Sequence, residues 1–470
     1  MSALSVPSTP PAESSAVRAE GRRLAALDVL RGIAILGTLA MNVGIFLVNA
    51  PVGATLTPVD DLLTTALGLV TDGKFIGLLT IMFGIGLEIQ RQSAVRRGES
   101  WLGTYPWRAL LLVLDGLLNY LFIFEFDVLM GYGLTGLVVA VVLCTSRRVQ
   151  AWVMGIGIAA HLAVLTAMSA PMFVMATDEA ALRALTEDPA SMTGEQVTEA
   201  ARFLEVSTAE VRRIAAENAR VFAAGPEAAG AAPPPGPSAD QMMSATDSYW
   251  AGVVDRATNF WSGRAEIPIM VVMGLGLFLV GAWMYRAGLF EERGARLRRW
   301  TMLVGFGIGL PLDWGTRLWL AEYTSVYNRY LTSAIVSFGL LAAVAAFYAR
   351  GRGPGLVGRA VANVGTMALT CYIGQNLIAS ILFYDWGFGL ARHMGWGVWD
   401  IVVAWAGVST ILLAGSALWL RFFRRGPVEW LWHVSHAWIV RHTLPHTNRL
   451  GERRRTWVAA RRATRALPAT

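Results

Sequence analysis

The sequence predicts an all-α protein, a polytopic membrane helix bundle of about 10 transmembrane helices with a small helical insert on the outer side. Three observations predict it. The 470 residues are 54% hydrophobic and only 16% charged, with a mean hydropathy of +0.47, whereas soluble globular chains carry about a quarter charged residues. The apolar residues gather into ten runs near the roughly 20 residues that a membrane-crossing helix needs. The arginines fall in alternate connections between those runs, as the positive-inside rule requires.

Taken in order, the predicted spans are 29–49, 75–91, 106–124, 126–145, 150–174, 267–286, 300–320, 331–349, 366–384 and 399–420. With a cytoplasmic N-terminus, the inner connections hold Arg91, Arg96, Arg97 and Arg108, then Arg147 and Arg148. Arg286, Arg293, Arg296, Arg298 and Arg299 follow, then Arg350, Arg352 and Arg359. The short outer connections are nearly bare. Lys74, the only lysine in the chain, lies in the first, Arg317 and Arg329 flank the fourth, and Arg392 lies in the last. Both termini are therefore expected in the cytoplasm. The first run reads as an uncleaved helix, because residues 1 to 26 are polar and the run from Val29 to Val48 is longer than a signal-peptide core.

This divides the chain into a polar cytoplasmic tail (1–27), helices one to five (28–175), an extracytoplasmic insert (176–266), helices six to ten (267–421) and a basic cytoplasmic tail (422–470). Within the insert, Thr193-Gly194-Glu195-Gln196 and Ser207-Thr208-Ala209-Glu210 read as capping boxes, each opening a short amphipathic helix. A Pro233-Pro234-Pro235-Gly236-Pro237 linker follows, then Tyr249, Trp250, Phe260 and Trp261, expected at the outer membrane surface. So few large apolar side chains predict a lid without a core of its own. In the last segment Trp430, Trp432 and Trp438 stand among arginines, which suits an amphipathic helix on an anionic inner surface.

The net charge of +7 does not point to nucleic acid, because the arginines sit beside apolar runs, where they orient helices. The expected partners are membrane lipids. Cys144 and Cys371 both lie in apolar segments and give neither a disulfide framework nor metal-ligand spacing. No metal site is expected.

Charges inside such runs cost about 3 kcal/mol each on insertion scales and mark functional positions. The first helix carries Asp28 and Arg31, three apart and able to pair, and Asn42, eleven residues beyond Arg31. Eleven residues are almost three turns, so Arg31 and Asn42 share a face about 16 Å long. Asp72-Gly73-Lys74-Phe75 opens the second span, Asp115 and Asn119 lie in the third, and Glu125 and Asp127 form an acidic turn before Tyr132. The seventh reads Gly305-Phe306-Gly307-Ile308-Gly309-Leu310-Pro311-Leu312-Asp313, a pattern that weakens a helix, with Asp313 and Arg317 spaced to pair. Tyr372, Gln375 and Asn376 make an uncharged polar patch in the ninth. His161 and His393 are isolated, and a structural role is favoured for both.

Several of these motifs together resemble the YeiB family of bacterial inner-membrane proteins. They are Leu27-Asp28-x-x-Arg31-Gly32 with Asn42, Gly73-Lys74-Phe75 with Phe83-Gly84-x-Gly86, and Phe126-Asp127-Val128-Leu129 with Tyr132. Ala368-Leu369-Thr370-x-Tyr372-x-x-Gln375 and Gly426-Pro427-Val428-Glu429-Trp430-Leu431-Trp432 complete the set. The opening motif is also similar to that of transmembrane acyltransferases, among them heparan-glucosaminide N-acetyltransferase. The resemblance implies a multi-pass protein of the bacterial cytoplasmic (inner) membrane. It also implies an acyl-CoA donor docking from the cytoplasmic side and a sugar, lipid or small-molecule acceptor arriving from the outer face.

In that reading Arg31 binds the donor's phosphates or its polarised carbonyl, Asn42 positions the acyl group, Asp127 is the first candidate for general base, and Lys74 stabilises developing negative charge. Asp28, Tyr132, Asp313, Arg317 and Gln375 are expected to contact substrate. Asn42 and Asn119 stand where related patterns carry histidine, and an amide cannot serve as a base. The alternative is a transporter or lipid flippase lined by the same polar residues.

Overall fold

Each of the ten predicted segments is helical, and the helices follow in the predicted order. The computed structural model describes residues 12–47, 58–187, 190–204, 206–223, 248–350, 353–394 and 398–443, and no strand occurs among them. Among the described residues, six helices are long and apolar enough to cross a membrane, seven if one sharply bent pair counts as a single span. The count of ten stays an expectation. Predicted segments 106–124, 126–145 and 300–320 fall short of that test for visible reasons. The first carries Arg108, Asp115 and Asn119, the second is a helix of 14 residues, and the third is broken.

Helix α1 (Ala12–Phe46) is the hub. Leu30, Ala34, Leu39, Val43 and Phe46 are fully buried on it, as an apolar helix in a bundle interior requires. Next come α2 (Pro58–Thr71), α3 (Lys74–Arg96), α4 (Trp101–Phe122), α5 (Leu129–Val142) and α6 (Arg147–Glu187). Helix α2 was not read from the sequence; it leads into α3 through Gly73, whose φ of 76° favours glycine. The Trp314 indole N–H holds α2 by donating to the Leu69 carbonyl at 3.0 Å.

Beyond the insert run α7 (Gly194–Phe203), α8 (Thr208–Ala223), α9 (Tyr249–Thr258) and α10 (Ile267–Arg286). Then follow α11 (Ala295–Met302), α12 (Leu310–Trp319), α13 (Ala321–Tyr327), α14 (Ser333–Ala349), α15 (Leu356–Thr366), α16 (Ala368–Phe383), α17 (Val398–Phe422) and α18 (427–443). Helices α1, α3, α5, α10 and α14 build the main core around Leu30, Leu78, Ile81, Tyr132, Phe278 and Leu341. A second core forms where α1, α16 and α17 meet, around Leu39, Phe46, Ala379 and Val408.

The glycine-weakened seventh segment is a π-helical stretch over Leu303–Gly309, with Pro311 at the start of α12. A second π-helical stretch, Asn328–Thr332, separates α13 from α14. Such stretches are rare and appear frequently at functional sites. Predicted segment 366–384 is α16, but α15 precedes it at an angle of 88° and lies along α1.

In the insert, Thr193 and Gln196 form the expected reciprocal capping box. One expectation is corrected: the insert does carry a small core. Leu185, on the extension of α6, packs with Val197, Ala200, Ala201, Val211 and Ala215. The Pro233–Pro237 linker lies outside the described residues. After it, Tyr249 Oη donates to the Phe122 carbonyl at 2.9 Å, while Trp250 and Trp261 stay exposed. The tail helix α18 exposes Trp430 and Trp438 and docks on α4, with His436 Nε2 3.3 Å from the Thr104 carbonyl.

Candidate active site

Two cavities lie one beyond the other along α1. The larger, about 960 Å³, sits at the arginine-rich end and is lined by Arg31, Gln90, Arg108, Arg424, Arg425 and His433, with apolar walls from Leu79, Met82 and Phe83. Its size falls within the range of small-molecule and cofactor sites. The smaller, about 190 Å³, is lined by Thr38, Asn42, Asp127, Tyr132, His161, Glu266 and Arg329 among apolar side chains such as Ile76 and Met273. Arg31 and Ile35 line the first cavity, Thr38 and Asn42 the second, so one face of α1 runs from one to the other. Among the described residues, Tyr372 alone lines both. Its hydroxyl accepts a hydrogen bond from the Val128 N–H at 3.3 Å.

The larger cavity joins two of the motifs noted in the sequence. Glu429 accepts hydrogen bonds from the Leu369 N–H at 2.6 Å and the Thr370 N–H at 3.0 Å, capping the first turn of α16 with a carboxylate. The tail is thereby fixed to the bend between α15 and α16. Arg108 lies 5.4 Å from the Trp432 ring centre and donates to Gln90 at 2.8 Å. Arg31 donates to Asp28 at 3.0 Å and is partly exposed, which leaves further N–H donors for a ligand. Asp28 itself is not among the residues lining the cavity. On α18, outside the spans, burial and the charges of Arg425 and Arg108 hold His433 below the ordinary imidazole pKa.

In the smaller cavity Asp127 is buried and already engaged. Asn119 Nδ2 donates to its Oδ1 at 3.0 Å, and the Met130 N–H to its Oδ2 at 3.0 Å, so the carboxylate caps α5. Arg264 donates to the Asp127 carbonyl at 2.6 Å and closes the turn from the other side. Tyr132 shares a 2.7 Å hydrogen bond with Thr80. His161 is different. Its Nδ1 lies 3.3 Å from the Met273 carbonyl, while Nε2 is buried and makes no hydrogen bond among the described residues. A neutral imidazole donating through Nδ1 leaves Nε2 as an acceptor in the cavity.

The structure places the other singled-out residues elsewhere. Lys74 is paired with Asp313 at 2.6 Å, both deeply buried. Arg317 bridges Asp313 at 3.1 Å and Asp72 at 2.6 Å, and Thr332 and Ser333 donate to the same Asp313 oxygen. This network ties the start of α3 to α12 and α14, and neither cavity is lined by Lys74, Asp313 or Arg317. Gln375 and Asn376 are buried on α16 with amide atoms that make no hydrogen bond among the described residues, and they line neither cavity. Among the described residues no group of His, Cys, Asp and Glu is arranged to hold a metal ion.

The helices and polar interior define a polytopic helical membrane protein. Residues 284–438 match the family model described as a protein of unknown function (DUF418). Over 444 residues the chain is 28% identical to the uncharacterized protein YeiB of Escherichia coli (strain K12), covering 86% of this chain and 94% of that protein. It is 24% identical over 431 residues to the uncharacterized protein YxaH of Bacillus subtilis (strain 168), with 88% and 94% covered. No solved structure matches. These matches support the YeiB resemblance along most of the chain. The names carry no activity.

The sequence marks His161 only as an isolated histidine and points to no site role for Tyr372, Arg108, Arg424, Arg425 or Glu429. His161 has no partner at helical spacing because its cavity neighbours come from α1, α3 and α5. Glu429 did carry a signal, since it lies inside one of the resemblance motifs.

Proposed function

We propose that this membrane protein transfers an acyl group from acyl-CoA, bound in the larger cavity, to a hydroxyl or amine of a sugar, lipid or small molecule in the smaller one. The observation that carries the reading is Tyr372, shared by a basic cavity suited to phosphates and a polar cavity holding an imidazole whose Nε2 makes no hydrogen bond among the described residues. Arg31, Arg108, Arg424 and Arg425 offer forked donors to the donor's phosphates. The thioester would reach past Tyr372 toward Asn42.

His161 takes the role of base in preference to Asp127, whose oxygens each already accept a hydrogen bond, from Asn119 and from the Met130 N–H. As the acceptor oxygen or nitrogen bonds to the thioester carbon, its proton passes to His161 Nε2. The intermediate then collapses, the carbon–sulfur bond breaks, and the leaving thiolate is protonated from the imidazolium.

Release of free thiol from acetyl-CoA tests this, with purified protein supplied with water, glucosamine and phosphatidylglycerol as acceptors. Loss of a general base costs about 100-fold or more, so His161→Gln is expected to lose release to that extent while keeping donor binding. Release by the variant at the native rate, or none by the native protein above a protein-free control, contradicts the proposal.

One observation favours a second reading, a transporter. The Lys74–Asp313–Arg317–Asp72 network, buried at Lys74 and Asp313, lies beside both π-helical stretches, where charges and irregular backbone meet. In that case substrate movement depends on Asp313 and Arg317, and the native protein has no affinity for acyl-CoA.

A further inference from the structure

A third cavity, about 440 Å³, lies on the flank of the bundle at its arginine-rich end, between α6 and α10. Its polar lining is Arg147, Gln150, Trp283 and Arg286, and Met154 and Leu279 continue it toward the bundle interior. Nothing in the proposed reaction uses it. Its charge is unbalanced. Arg286 donates to Gln150 at 3.0 Å and to Glu88 at 3.4 Å, but Glu88 is already held by Arg91 through two hydrogen bonds of 3.0 and 2.8 Å. One buried carboxylate thus faces the guanidinium groups of Arg91 and Arg286, while Arg147, exposed at the start of α6, makes no hydrogen bond or ion pair among the described residues. The Trp283 indole, half-exposed beside it, is a donor with no acceptor among the described residues.

The surroundings say what would complete this site. Trp152 and Ile156 on the same stretch of α6 are exposed, as lipid-facing side chains are. Two arginines with a tryptophan at the rim of an apolar seam match the level of lipid headgroups, and basic pockets between helices at that level bind anionic headgroups. We propose that the α6–α10 groove binds the phosphate of an anionic phospholipid. Arg147, the free N–H groups of Arg286 and the Trp283 N–H hold the oxygens, and an acyl chain follows Met154 and Leu279. Net positive charge selects a net-negative lipid such as phosphatidylglycerol over zwitterionic phosphatidylcholine. This site is independent of the acyl-transfer reading.

Native mass spectrometry and thermal unfolding of the full chain in detergent test it, with phosphatidylglycerol, phosphatidylcholine or inorganic phosphate added. Phosphatidylglycerol is expected to remain bound and raise the unfolding temperature, and the other two to do neither. Each basic residue near a lipid headgroup contributes about 1 kcal/mol, so Arg147→Gln is expected to weaken phosphatidylglycerol binding about fivefold. Arg147 has no partner to lose, so the variant should fold. Arg148→Gln, next in sequence but outside the groove, should bind as the native protein does. Equal binding of both lipids, equal protection by inorganic phosphate, native affinity in Arg147→Gln, or an equal loss in Arg148→Gln would each overturn the assignment.

Discussion

Asp127 and His161 line one cavity but offer it different things. The Asp127 carboxylate holds Asn119 and the first turn of α5, so Asp127→Ala leaves buried donors unpaired and should cost about 1–3 kcal/mol. His161 loses one long contact, to the Met273 carbonyl, and His161→Gln should shift unfolding far less. Thermal unfolding of the two variants separates the roles; an equal drop in both would make His161 structural as well. At the basic end, His433 sits below the ordinary imidazole pKa, so it is neutral near pH 7. A depressed imidazole favours the fold above its unfolded pKa, and that contribution fades as pH falls below it. A phosphate bound beside it would raise the pKa again and draw in a proton. Acetyl-CoA binding should therefore tighten from pH 7.5 to 6, with an enthalpy that varies with the buffer, and His433→Gln should reduce both effects. Unchanged buffer dependence in the variant would place the phosphates elsewhere. Of these residues, Asn42, Asp127 and Tyr132 were visible as polar groups in apolar runs. The imidazole was visible only as an isolated histidine with a structural role favoured, because its partners lie on other helices and no spacing within α6 reports them.

Helices α1 and α15 meet through glycines. A Cβ at Gly365 would collide with the Asp28 carbonyl, and one at Gly32 with the Val361 carbonyl. Overpacking of this kind costs about 1–3 kcal/mol, so Gly365→Ala should lower the unfolding temperature. Gly155→Ala, where an added Cβ meets nothing, should leave it near the native value. A null result at Gly365 would show that α15 can move away from α1 without penalty. The cross-chain anchor Glu429 acts at the same scale, and Glu429→Ala should free the tail from α16 and expose the 427–443 helix to limited proteolysis. Apolar runs made the spans legible as elements. Helix α2, the 88° bend at Met367 and the π-helical stretches were less so, because tertiary contacts decide them. The seventh segment is the exception, where alternating glycines before Pro311 announced a break without saying of which kind.

The whole molecule places a basic cavity and a polar cavity in line, and the proposed reaction depends on which end faces the cytoplasm. In a Cys144→Ser background, Thr198→Cys on α7 and Ser100→Cys between α3 and α4 should differ in intact cells. Only the first should react with an impermeant thiol reagent, and equal labelling would remove the cytoplasmic donor. The positive-inside pattern made this orientation legible as an expectation, since nearly all short-loop arginines fall on one side. The in-line cavities were not legible, because they draw on α1, α3, α4, α16 and the tail at once. The central claim is that Arg31 marks a donor site, and titration of the purified protein with acetyl-CoA tests it most directly. The native protein should bind. Arg31→Lys, unable to fork onto phosphate oxygens, should bind about tenfold more weakly, a loss near 1.4 kcal/mol. Arg317→Lys, at a residue that lines neither cavity, should keep the native affinity. No binding by the native protein at millimolar acetyl-CoA, or full affinity in Arg31→Lys, would contradict the account.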